Sequence, residues 1–176
     1  LRWWAINQIC CRHGRLSNLS FFEGVRTQNQ DGINLRVGCS DILIENITGR
    51  TGDDVVALTA LPCWDDGKLI PEGGDIDIHD VTIRNVRAHT SQSVVALRNQ
   101  DGSKIYRVYI ENVRDIGGEY TPWGVVRIGE NNYFWKRPSK LGETYDINVN
   151  GVDSRCRGTV FVNATLKDSS IRNVYA

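Results

Sequence analysis

One four-residue pattern returns along the chain: an apolar residue, any residue, Asn, an apolar residue. It reads Leu16-Ser17-Asn18-Leu19, Ile44-Glu45-Asn46-Ile47, Ile83-Arg84-Asn85-Val86 and Ile110-Glu111-Asn112-Val113. It returns as Val149-Asn150-Gly151-Val152 and Ile171-Arg172-Asn173-Val174. The third position is Asn or, once, Gly, the residues that enter left-handed backbone most easily. A tight bend between two strands is therefore expected there in every repeat. The third positions follow one another at 28, 39, 27, 39 and 22 residues. The shortest step approximates the bare repeat. The longer ones imply loops inserted at one corner, such as Pro62 to Gly74 and Tyr133 to Gly142. Variable insertion onto a constant unit is how repeat folds grow.

A second strand accompanies the repeats: Gly32-Ile33-Asn34-Leu35, Val55-Val56-Ala57-Leu58, Val94-Val95-Ala96-Leu97, Val125-Val126-Arg127-Ile128 and Val160-Phe161-Val162. These segments are short and β-branched. No stretch sustains a helical period, so equivalent strands one repeat apart must pair in parallel without helical crossovers. The expected fold is all-β: a right-handed parallel β-helix, a solenoid of about six coils in which residues 1–176 form a single domain. Stacked Asn side chains at the bends would form a hydrogen-bonded ladder. An antiparallel sandwich would want hairpin turns midway between paired strands. Asp31-Gly32, Asp66-Gly67 and Asp101-Gly102 do not fall there in every repeat. A solenoid needs caps, and neither end carries an evident one. With no Met anywhere, the chain is expected to be part of a longer product, its uncapped ends open to association.

Composition excludes several classes. Lys+Arg and Asp+Glu are both 21, so the net charge is zero and no nucleic-acid footprint is expected. No long apolar run suggests a membrane span, and Leu1-Arg2-Trp3-Trp4 does not read as a signal peptide. The five Cys are Cys10, Cys11, Cys39, Cys63 and Cys156. Their spacing suits neither zinc nor a disulfide framework, so they read as buried free thiols. No cofactor is expected.

The chemistry-bearing feature is Asn29-Gln30-Asp31-Gly32-Ile33, followed by Thr51-Gly52-Asp53-Asp54-Val55. Asp31 and Asp53 are 22 residues apart, one bare repeat, which would set them on adjacent coils roughly 5 Å apart. Asp54 would join them. Like charges this close oppose joint ionisation. A carboxylic acid beside carboxylates is what glycoside cleavage requires: one group protonates the leaving oxygen and another activates water or attacks. Ca²⁺ binding and plain turn chemistry are the alternatives. In later repeats the place of Asp53-Asp54 is taken by Gln92-Ser93 and Arg157-Gly158, so the coil itself does not demand the acids.

Asn29-x-Asp31-Gly32, one repeat before Gly52-Asp53-Asp54, resembles the signature of the polygalacturonase family of glycoside hydrolases, within the pectin-lyase-like β-helix superfamily. The resemblance covers Leu16 to Leu61. It implies hydrolysis of a galacturonan- or pectin-like polysaccharide by Asp31, Asp53 and Asp54, with one of the adjacent pair as the acid and Asn29 in support. The family's Gly-His-Gly would fall near Gln92-Ser93, where the nearby histidine is His89. Its Arg-Ile-Lys is answered by Arg127-Ile128-Gly129. Related hydrolases of neutral glucans also use an Asp cluster, so the trio alone does not select pectin.

Arg98 and Arg127 lie in or beside neighbouring strands. They could grip a sugar carboxylate or balance the acids. Trp64 and Trp123 could stack on sugar rings or pack as a lid. His13 and His79 read as solvated turn residues. Asn99-Gln100-Asp101-Gly102 repeats the first motif after its strand rather than before it, which reads as turn chemistry. Three functions stand: a polysaccharide hydrolase; a non-catalytic carbohydrate-binding or assembly module; and a lyase using Ca²⁺ with Arg127 as proton abstractor. A polymeric substrate would place the protein outside the cell or in the periplasm.

Overall fold

The computed structural model describes residues 3–24, 27–62, 66–129, 137–155 and 158–176. In chain order the elements are β1 (Ile6–Gln8), β2 (Arg12–Phe22), β3 (Ile33–Arg36), β4 (Ser40–Arg50), β5 (Val56–Ala60) and a four-residue helix α1 (Asp66–Leu69). There follow β6 (Ile78–His89), β7 (Ser93–Asn99), β8 (Ile105–Asp115), β9 (Gly124–Ile128), β10 (Thr144–Asp153), β11 (Val160–Val162) and β12 (Ser170–Tyr175). The odd-numbered strands form one six-stranded sheet and the even-numbered strands a second, each in chain order. All strand pairing is parallel. The antiparallel hairpins of a sandwich are absent among the described residues, where one isolated antiparallel bridge joins Gln100 to Pro138. The six Asn-patterned segments make the even sheet; the second-strand segments make β3, β5, β7, β9 and β11. β1 carries no pattern long enough to be read.

The two sheets share one core. Ile33, Leu35, Val56, Leu58, Val95 and Leu97 of the odd sheet meet Ile42, Ile44, Ile47, Ile83 and Ile110 of the even sheet, all at 2% exposure or less. Within β4 the burial runs Ile42 in, Leu43 half-buried, Ile44 in, then Asn46 out and Ile47 in. Simple alternation would have put residue 46 inside. Asn46 has φ 58°, and this left-handed residue resets the alternation so that Ile47 faces the core. Asn18, Asn85, Asn112 and Asn173 do the same with φ between 52° and 58°, and Gly151 with φ 77°. The bend thus lies inside one continuous ladder-paired strand rather than between two strands, because the flanking residues keep their parallel partners.

The Asn side chains stack. Asn46 Nδ2 donates to Asn18 Oδ1 at 3.0 Å, Asn85 to Asn46 at 3.2 Å and Asn112 to Asn85 at 2.7 Å. At the far end Asn173 donates to Asn150 at 2.7 Å, because Gly151 offers no acceptor. A second left-handed column was not legible beforehand. His13, Asp41, Asp80, Arg107, Asp146 and Asp168 have φ between 48° and 56°, each five positions before an Asn-column residue. Their side chains pair along the column: His13 with Asp41 at 3.3 Å, and Arg107 Nε and Nη2 each 2.6 Å from Asp80. The Arg107 guanidinium holds the Asp80 carboxyl down at about 2. His79 is no solvated turn residue. Its ring stacks 4.8 Å from Tyr106, which stacks 4.9 Å from Tyr145, and its nitrogens meet Asp75 and Asp80.

Insertions occur at both corners rather than one. Pro62 to Gly74 leads from the odd sheet back to the even one, and 116–123 leads the other way. Asp101, with φ 58°, and Gly102 turn the corner after β7, so the second Asn-Gln-Asp-Gly is a turn. Cys39 is a buried free thiol whose burial pushes it up to about 11. Cys10 and Cys11 are only half-buried. Cys63, Cys156, Arg157 and residues 133–136 of the Tyr133 to Gly142 insertion lie outside the described residues.

The ladder can be tested by substitution. Asn85→Gly keeps the left-handed backbone and loses only the side-chain bonds. Asn85→Ala adds the steric cost of a left-handed β-carbon, about 1–2 kcal/mol. Urea denaturation should therefore show the Ala variant less stable than the Gly variant by that amount. Equal midpoints would mean that the backbone at residue 85 relaxes.

Candidate functional site

In the odd sheet Val56 and Leu58 face the core, so Ala57 and Thr59 face away from it. Register extends this into columns. Asn34, Ala57, Ala96, Arg127 and Phe161 form one, and Arg36, Thr59 and Arg98 the next. Ala57 and Ala96 are small and fully buried, and the Arg98 and Arg127 guanidinium groups reach past this face to Asp54. Asp31 stands just before β3, and Asp53 and Asp54 just before β5, at the same edge of this face.

The three carboxylates converge, with a different register from the one expected. Ile33 pairs with Val56, so Asp31 is level with Asp54, not Asp53. The Gly32 amide donates to the Asp54 carbonyl, and the Gly52 and Asp53 amides both reach the Gln30 carbonyl. A 22-residue offset would have set Ile33 against Val55 and Leu35 against Ala57. Such a one-residue slip turns the core face of a strand outward. Burial of Ile33 and Leu35 fixed the offset, and the carboxylates followed.

Asp54 is fully buried. Its Oδ2 receives Arg98 Nη2 in a short contact and lies 3.4 Å from Arg127 Nη2. Its Oδ1 accepts the Ser93 amide at 2.9 Å. Asp31, 4% exposed, accepts a 2.6 Å bond from Asn34 Nδ2. Burial, then the Asp54 and Asp53 charges, push its carboxyl up to about 8. Asp53 is half-buried and accepts the Asn29 amide at 2.8 Å and the Asp54 amide at 3.0 Å. Burial and then the Asp54 charge push its carboxyl up as well. The cluster thus sets a proton-holding acid beside an anion clamped by two guanidinium groups. Among the described residues no three His, Cys, Asp or Glu side chains stand close enough to hold one metal ion.

The other expected site residues separate into near and far. Asn29 is at the cluster, through its backbone. Arg98 and Arg127 turn to Asp54, so balancing the acids is the role the geometry displays. Gln92 and Trp123 continue the level of Asp53 along the sheet, with the Trp123 amide donating to the Gln92 carbonyl at 2.9 Å. Trp123 is 63% exposed and does not pack as a lid. His89 stands off the cluster. It ends β6, its Nδ1 is 3.1 Å from Asp115 Oδ1, and Gly118 packs over its ring. The Asp115 carboxylate, one strand along, captures the ring. Only the backbone links His89 inward: its carbonyl accepts the Thr51 amide, and the next residue's hydroxyl, Thr90 Oγ1, donates to the Asp53 carbonyl. Trp64 lies outside the described residues.

Asn34 and Ser93 were missed as members of the site. Asn34 could have been found by alternation, since the residue after core-facing Ile33 must face away from the core. Buried atoms without a hydrogen-bond partner also mark this face: Asn34 Oδ1, Thr59 Oγ1 and Ser93 Oγ. Such atoms are costly unless a ligand or water satisfies them. Comparison with protein-family models, curated proteins and solved structures finds no match to this chain.

The raised carboxyl of Asp31 links stability to pH. Between its ordinary value of 3.8 and about 8 the folded chain holds a proton that the unfolded chain releases. Stability therefore falls as pH rises across that window. Asn mimics the protonated acid, so Asp31→Asn should flatten this fall. Denaturation midpoints of both proteins at several pH values from 4 to 8 check it. Parallel curves would show that Asp31 titrates normally.

Proposed function

We propose that the two sheets are walls of a right-handed parallel β-helix and that the chain is a glycoside hydrolase of a polysaccharide, resembling the polygalacturonases. Right-handedness follows from strand twist, which governs parallel crossovers generally. The observation that carries the function is the separation of roles within one carboxylate cluster. Asp31 is buried and driven to hold its proton, Asp53 beside it reaches solvent on two backbone amides, and Asp54 is held between Arg98 and Arg127. A buried acid next to a solvent-facing carboxylate can supply one group to protonate the leaving oxygen and another to activate water.

In this reading Asp31 is the general acid that protonates the leaving glycosidic oxygen. Asp53 reaches solvent and takes the proton from the attacking water, its anion supported by two backbone amides. Asp54 keeps the proton on Asp31 by its charge and is a positioning residue. These roles differ from those the resemblance implies, in which one of the adjacent pair is the acid. Trp123, about 10 Å along the level of Asp53, offers a ring face to a neighbouring sugar. The galacturonan-like substrate follows from the resemblance alone.

The burial of Asp31 and Asp54 favours a second reading, a non-catalytic carbohydrate-binding module in which the cluster only holds the sheet together. Asp53→Asn decides between them, because residue 53 is only half-buried, the variant's carbonyl oxygen keeps one of the two amide bonds, and loss of the repulsion from Asp54 offsets the other. Reducing ends released from a panel of polysaccharides should drop about 10²–10⁴-fold, the range for losing a proton-transfer group. The variant should melt with the wild type. Equal activity on every cleaved substrate overturns the catalytic assignment. Glycan binding by the wild type without any turnover establishes the binding module.

A further inference from the structure

The Asn column is interrupted once. Gly151 occupies a position that Asn fills on the other five levels. Crowding does not require this: a β-carbon there would lie 3.5 Å from the Asn112 amide nitrogen, an ordinary contact. The left-handed φ does not require it either, since Asn holds the same conformation elsewhere in the column. The missing side chain has two consequences. Asn112 Oδ1 loses the donor that its counterparts on Asn18, Asn46 and Asn85 receive. A cavity of about 270 Å³ also opens on the face of the even sheet away from the core, lined by Arg87, Asn112, Arg114, Gly151, Asp153 and Tyr175.

The cavity carries excess positive charge. Arg87, Arg114, Asp153 and Tyr175 follow one another in register on β6, β8, β10 and β12. Asp153 pairs with Arg114, 3.1 Å from its Nε. Arg87 is exposed and makes no hydrogen bond or ion pair among the described residues. One guanidinium is therefore uncompensated beside another held in place by Asp153. A free carboxamide oxygen and the exposed ring of Tyr175 complete the lining. Guanidinium groups recognise carboxylates by paired hydrogen bonds, the amide oxygen accepts a hydroxyl, and an aromatic ring covers the apolar face of a pyranose. We propose that this notch binds a uronic acid residue of an acidic oligosaccharide. The site is on the opposite sheet from the Asp31 cluster and stands whether or not that cluster is catalytic.

The test is an amide and Arg Nε chemical-shift titration of the full chain with D-galacturonate, D-galactose and acetate. Saturable shifts at Gly151, Arg114 and the Arg87 side chain are expected with galacturonate, at an affinity at least tenfold above that for galactose or acetate. Gly151→Asn should refill the column, fold normally and weaken binding at least tenfold, and Arg87→Gln should weaken it similarly. Asp53→Asn should bind as the wild type does. Absence of shifts at these residues, equal affinity for the three probes, or unchanged binding by Gly151→Asn overturns the proposal.

Discussion

Two left-handed residues in each long strand hold the architecture in place. Each lets the chain bend without leaving its parallel ladder, and each resets which side chains face the core. Without the reset at Asn46, Ile44 and Ile47 could not both point inward, three residues apart in one strand. A left-handed β-carbon is costly, so residues that stabilise it locally collect there: Asn in one column, mainly Asp in the other. Their side chains bond to the level before, turning a local cost into cohesion along the stack. The core register, and through it the position of every outward side chain, follows from these bends.

The acidic cluster depends on that register in a further way. Ala57 and Ala96 occupy the places where larger outward side chains would fill the face. Their small size lets Arg98 and Arg127 lie across the sheet and meet Asp54. Burial raises the carboxyls of Asp31 and Asp53, and the charge of the clamped Asp54 adds to it. Charge separation within the cluster is therefore a property of the sheet surface as well as of three acids. The same logic applies on the other sheet. One Gly in a column of Asn creates a cavity, and the neighbouring column supplies it with two arginines.

Much of this was legible in the chain itself. A four-residue pattern repeated six times located the even sheet, and β-branched segments located most of the odd one. The left-handed Asn column was readable because few residues tolerate that geometry. The second column was not, since His, Asp and Arg share no single sequence signature. Asp31, Asp53, Asp54 and Asn29 were identifiable as one cluster, and alternation after Ile33 adds Asn34, whereas Ser93 joins it through folding alone. The family resemblance points to His89 as the histidine near Gln92-Ser93, and a carboxylate on the next strand holds it elsewhere.

Residue identities alone determined the all-β class, the parallel stacking and the convergence of three acids at one edge. These rest on local rules: which residues bend, which alternate, and which cannot form a helix. Tertiary structure decided that Asp31 is level with Asp54, because buried Ile33 and Leu35 set the offset. It also decided that two arginines clamp one acid and that a cavity opens at Gly151. Those outcomes depend on neighbours distant in sequence, whose distances arise only once the strands are stacked.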